Sequence, residues 1–197
     1  MSRMFLRRFA LAAAVLGALA VPSWAAAAVD TFHRFEAEAV ANYVVNVACD
    51  DGSTVEQRVQ VIGGHEEESV NGVTTTDDDF LSIRIFGFDC AGNFFSERGQ
   101  GDGEFTWSPS LQEAAATGTV TTTGGRVVTV DMSWAGTGPL ETTSNTTTFP
   151  GFTGHFVGRE RDAVATGTVV VDGATLVDGS TTNAFIETLE DKNTTRS

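Results

Sequence analysis

Four stretches of the chain alternate apolar and polar residues with a period of two, and each leads through a turn sequence into a second strand-like run. In the first, Tyr43, Val45, Val47 and Cys49 share one face, because successive side chains of an extended strand point to opposite sides. Asp50-Asp51-Gly52-Ser53 then turns the chain into a run where Val55, Val59 and Val61 oppose Glu56, Arg58 and Gln60. Phe80–Cys90 and Phe94–Arg98 flank Cys90-Ala91-Gly92-Asn93. Ala114–Thr123 and Arg126–Trp134 flank Gly124-Gly125, and Ala163–Val171 and Ala174–Val177 flank Asp172-Gly173. Each pair reads as a β-hairpin. Further strands are predicted at Glu104–Trp107, stopped by Ser108-Pro109, near Phe152–Val157, and at Asn183–Leu189. No window carries a helical period.

Strands joined mostly by neighbouring hairpins predict a single all-β domain over 29–190, an antiparallel β-sandwich of about 9–11 strands. The sandwich is preferred because the polar connections 63–79, 99–112 and 136–151 are long enough to cross between sheets. An antiparallel, lipocalin-like β-barrel is the alternative. Gly99-Gln100-Gly101-Asp102-Gly103 reads as a flexible loop, and 191–197 as a flexible C-terminal tail.

One strand shape occurs twice. Glu113–Thr121 (EAAATGTVT) and Asp162–Val170 (DAVATGTVV) agree at six of nine positions. Ala114, Ala116, Gly118 and Val120 match Ala163, Ala165, Gly167 and Val169 on one face. A face this small lets another layer come close, so the repeat reads as a packing element rather than a functional motif.

Composition changes the picture in two ways. Arg3, Arg7 and Arg8, the apolar run Phe9–Ala20 and the small residues Ala25–Ala28 form an export signal over 1–28. Its removal leaves nine basic against 26 acidic residues, a formal charge of −17. That field argues against nucleic acid and anionic lipid as partners. No later run approaches the roughly 20 apolar residues of a membrane-spanning helix. The expected location is secreted or periplasmic. In such an oxidising compartment Cys49 and Cys90, each ending an alternating run beside a turn, are expected to form a disulfide.

Candidate chemistry is sparse. Asp77, Asp78 and Asp79 could supply some of the oxygens a Ca²⁺ ion needs, but consecutive strand residues diverge, so the run is a weak metal candidate and reads better as a solvated acidic loop; Glu66-Glu67-Glu68 reads likewise. His65-Glu66-Glu67-Glu68-Ser69 lacks the second histidine of a zinc-protease helix, and His33, His65 and His155 are scattered. No Gly-x-Ser-x-Gly elbow occurs. Glu104 is the one carboxylate in an aromatic setting, beside Phe105 and Trp107, which makes Glu104 and Trp107 the candidate ligand-facing pair. Trp134 continues the apolar face of Val128, Val130 and Met132. Asn145-Thr146-Thr147 fits a glycan acceptor pattern but reads as part of a Thr-rich loop.

The run Val128–Trp134 followed by Ala135-Gly136-Thr137-Gly138-Pro139-Leu140 resembles a motif of uncharacterised secreted bacterial β proteins, in which a strand ending in Trp enters a Thr-Gly-Thr-Gly-Pro-Leu turn. The Cys-Asp-Asp-Gly-Ser hairpin, the Phe-Asp-Cys strand end and Pro150-Gly151-Phe152 occur there in similar order. The resemblance implies an exported β fold and carries no activity with it.

The reading that results is an exported, non-enzymatic β domain with a binding or structural role, needing no cofactor, whose partner is a small molecule, a glycan or a protein. The alternatives are a barrel enclosing a small apolar ligand and a hydrolase with its site near Glu104 and Trp107.

Overall fold

The computed structural model describes residues 29–196; the export signal expected over 1–28 lies outside the described residues, as does Ser197. Nine antiparallel strands follow one another: β1 (Val29–Ala48), β2 (Thr54–Val70), β3 (Val73–Phe88), β4 (Phe94–Trp107), β5 (Glu113–Thr121), β6 (Val127–Gly136), β7 (Glu141–Phe149), β8 (Phe152–Val171) and β9 (Ala174–Arg196). Eight of them close into a barrel in the order β1-β2-β3-β4-β5-β6-β8-β9, with β9 returning to β1. The ninth, β7, lies outside the ring against the first half of β8.

The barrel replaces the sandwich. The three connections expected to cross between sheets are themselves strand: 63–79 is the end of β2, an Asn71-Gly72 turn and the start of β3, most of 99–112 is β4, and 136–151 contains β7. These strands reach 20 residues in β1 and β8 and 23 in β9, well beyond the usual length of about 5–6. Their outer portions are wetted on both faces, so the alternation that marks a half-buried strand is lost there. Residues 191–196, expected as a loose tail, pair with β1 and β8 as far as Arg196. Backbone partners on both sides hold this polar segment in place.

The two ends of the barrel differ. At one end four tight hairpins cluster, and the Cys49–Cys90 disulfide, with Cα atoms 5.6 Å apart, ties the first to the second. The fourth turns on Asp172 and Gly173, with φ of 49° and 83°, the left-handed pair that a two-residue hairpin requires. At the other end β4, β5 and β6 stop, while β7-β8-β9-β1-β2-β3 run on as a flared, six-stranded half-pipe. The register changes partner at two forks. The β3–β4 pairing ends at Phe80–Asp102, and β8 exchanges β6 for β7 between Ala163 and Glu160.

Inside the ring the space is filled by side chains in one hydrophobic cluster that includes Leu81, Ile83, Ile85, Met132, Trp134 and Ile186. Trp134 is 2% exposed, and its indole N–H donates to the Val40 carbonyl at 3.0 Å. The Tyr43 hydroxyl lies 3.8 Å from Met132 Sδ, and burial pushes its pKa up to about 12.

This packing explains the repeated strand. The two copies, in β5 and the second half of β8, flank β6 on either side. Trp134 is paired with Ala114 on one side and Ala165 on the other, and Met132 with Ala116 and Gly167. The two largest side chains of β6 thus sit in a trough of small ones. A Cβ on Gly167 would run into the Asp131 carbonyl oxygen and lie 2.8 Å from Met132 Cα; one on Gly118 would meet Leu81 Cδ2 at 3.1 Å. Gly167→Val is therefore expected to lower the unfolding free energy by about 2–3 kcal/mol and Gly118→Val by about 1 kcal/mol, read from urea denaturation midpoints. Equal effects, or none, would refute the assignment of the tighter contact to Gly167. The glycines of Gly99–Gly103, expected to make a loop flexible, lie within β4. A Cβ on Gly103 would stand 2.8 Å from that of Leu81 and one on Gly99 3.0 Å from the Thr121 carbonyl oxygen, so these two permit close approach of neighbouring strands.

Candidate functional site

Because side chains alternate, the barrel's interior face continues up the concave side of the half-pipe, and registers fix what it carries. One row across β3, β2, β1, β9, β8 and β7 reads Asp79, His65, Ala37, Thr188, Arg159, Thr142. The next outward reads Asp77, Glu67, Phe35, Glu190, Val157, Ser144. The apolar interior thus gives way, at the mouth, to polar, charged and aromatic groups.

The aromatic members converge. Trp107 stacks on Phe105 with ring centroids 5.6 Å apart and planes at 14°, and on Phe35 at 5.9 Å and 28°. The His65 ring lies 5.0 Å from Trp107 and 6.5 Å from Phe35. Phe105 is buried, while Phe35 and Trp107 are half-buried at the rim.

Asp79 sits at the β3–β4 fork and occupies the groups the fork would strand. Its Oδ2 accepts the Phe105 backbone N–H at 3.2 Å just past the end of β3–β4 pairing, and its Oδ1 lies 2.8 Å from His65 Nδ1. An ionised carboxylate only accepts, so Nδ1 carries the proton. Asp77 lies 3.7 Å from His65 Nε2. The imidazole is held between two carboxylates and against an indole. On the facing strands Glu190 accepts from Lys192 at 2.6 Å and pairs with His33 at 3.1 Å. Lys192 foremost, with His33, holds the Glu190 carboxyl below its ordinary pKa against the opposing effect of burial.

The convex side is acidic. Glu141, Glu160, Glu187 and Glu38 stand in direct lateral register across β7, β8, β9 and β1. Burial, then Glu141 and Asp162, raise the pKa of Glu160. Arg34 of β1 pairs with other glutamates of this side, Glu66 at 2.7 Å and Glu36 and Glu68 at 3.6 Å. A shallow groove of about 530 Å³ also crosses the outer wall between β5, β6 and β8, over Ala115, Ser133, Ala135 and Val164; it is open to solvent rather than enclosed.

Of the residues singled out from sequence, Trp107 belongs to the mouth, but Glu104 does not join it. Three positions apart on β4, the two point to opposite faces, and Glu104 is exposed beside Thr117 of β5. The aspartate run divides, with Asp77 and Asp79 turned to His65 and Asp78 outward beside Glu66. All three histidines lie on the concave face, yet His33 and His155 flank Lys192 on separate strands and His65 lies two rows lower. Among the described residues no group of three or more His, Cys, Asp or Glu is arranged to hold a metal ion. Phe35 and Glu190 are the site members that sequence reasoning missed, while His65 was weighed only as a metal ligand and Phe105 only as the setting of Glu104. Neither protein-family models, nor curated proteins, nor solved structures provide a match to this chain.

Proposed function

We propose that this protein is an exported, non-enzymatic binding domain whose ligand surface is the flared mouth, and that the ligand is a glycan. The observation that carries the reading is the Trp107–Phe105–Phe35–His65 cluster, at the flared rim where the filled interior gives way to polar groups. Aromatic rings at such an edge offer apolar faces, and the flanking carboxylates and threonines offer acceptors and donors for hydroxyl groups. The filled lumen weighs against an apolar ligand held inside the ring. The opposed directions of Glu104 and Trp107 weigh against a hydrolase built on that pair. The Cys49–Cys90 disulfide is consistent with an extracytoplasmic setting.

A glycan array probed with the full chain tests this. Binding is expected, and Trp107→Ala and Asp77→Asn are each expected to weaken it, the former at least about tenfold. Asp77 has a side chain 70% exposed, so its variant leaves the fold intact while altering the rim. Absence of any bound glycan would exclude the ligand class; binding indifferent to both substitutions would exclude the mouth.

A further inference from the structure

The half-pipe has two free edges, and the chain treats them differently. One is the segment Val73–Asp79 of β3, which has lost β4 as a neighbour and carries three aspartates in a row. Charge of this kind keeps an edge from pairing with another chain. The other edge is β7, ETTSNTTTF. All nine of its residues are exposed, its one charge is Glu141 at the end, and it has no lysine, proline or bulge. Among the described residues its backbone partner is β8.

The β7 sequence is also nearly palindromic. Paired antiparallel with itself about Asn145, it sets Thr142 opposite Thr148, Thr143 opposite Thr147, Ser144 opposite Thr146, and Asn145 opposite Asn145. Threonine–threonine and threonine–serine pairs are favourable across antiparallel strands. In this register even-numbered residues meet even-numbered ones, so the concave faces of both copies stay on one side. Glu141, the end of the convex glutamate row, then falls opposite Phe149, which is 62% exposed in the single chain. The two Glu141 residues lie eight positions apart along the seam, about 27 Å, so the two acidic rows do not meet.

We infer that β7 is a homodimer seam, joining two copies of the chain by antiparallel β7–β7 pairing about a two-fold axis at Asn145. Two half-pipes then merge into one twelve-stranded sheet that presents both mouths on the same side.

The test is sedimentation of the full-length protein together with three variants. The wild type is expected to be dimeric. Asn145→Asp places two carboxylates face to face on the axis and is expected to raise the dimer dissociation constant roughly tenfold. Asn145→Cys is expected to form a disulfide-linked dimer on non-reducing gels, and Thr75→Cys on the opposite edge is not. A wild type that stays monomeric would overturn the proposal, including the case in which β7 takes a strand from some other protein. So would a dimer indifferent to Asn145→Asp, or crosslinking no greater at position 145 than at 75. None of these outcomes depends on whether the mouth binds a glycan.

Discussion

Truncation of Trp134 to alanine is expected to lower the unfolding free energy by about 4 kcal/mol and the melting temperature by roughly 10 °C. Trp134 is the largest of the fully buried side chains. Its neighbours on the same rung, Ala114 and Ala165, are too small to fill the space it would leave. The loss has two parts that a second variant separates. Trp134→Phe keeps most of the ring but removes the indole N–H, leaving the Val40 carbonyl oxygen without its side-chain donor; that change alone is expected to cost about 1–2 kcal/mol. Calorimetry on both variants checks the division. A melting temperature within a degree or two of wild type for Trp134→Ala would mean that the trough on β6 does not organise the core.

Removal of the disulfide by joint Cys49→Ser and Cys90→Ser substitution is expected to cost about 3–4 kcal/mol, since the bond closes a loop of 41 residues. Urea denaturation provides the measure, and treating the wild type with reductant should reproduce the shift, because Cys90 is exposed to solvent. The destabilisation acts mainly through the unfolded chain, so spectra of the folded variant should match the wild type. A midpoint unchanged by either route would show that the two hairpins are held without the bond.

The hairpins of the closed half of the barrel were legible because each strand there has one dry and one wet face. Tyr43–Cys49 with Val55–Val61, and Arg126–Trp134 with its neighbour, lie where alternation places them. The flare was not legible for the opposite reason: from Glu66 to Asp79 and from Glu141 to Phe149 the residues are polar on both faces and mostly exposed or half-buried, and they look like loop. One local signal there was strong. Asn71-Gly72 is a favoured hairpin turn, and taking it as one pairs β2 with β3 and brings His65 to the aspartates. The rest of the mouth had no such cue. Phe35, His65 and Trp107 come from three strands, and which of them meet depends on a closure that no local pattern specifies. Sandwich and barrel differ in the same way, by whether β9 finds β1.

That closure has a consequence for the order of folding. The ring is sealed by pairing the first described strand with the last, Val29 with Arg196 and Ala41 with Ala184. Hairpins β1–β2 and β3–β4 consist of neighbours and need little loop closure, so they can form while the rest of the chain is still being made. β1, however, keeps one edge bare until β9, Ala174–Arg196, arrives. During synthesis the nascent chain therefore passes through a curled, open-sided sheet, and β9 decides whether that sheet becomes a barrel or remains available to other chains.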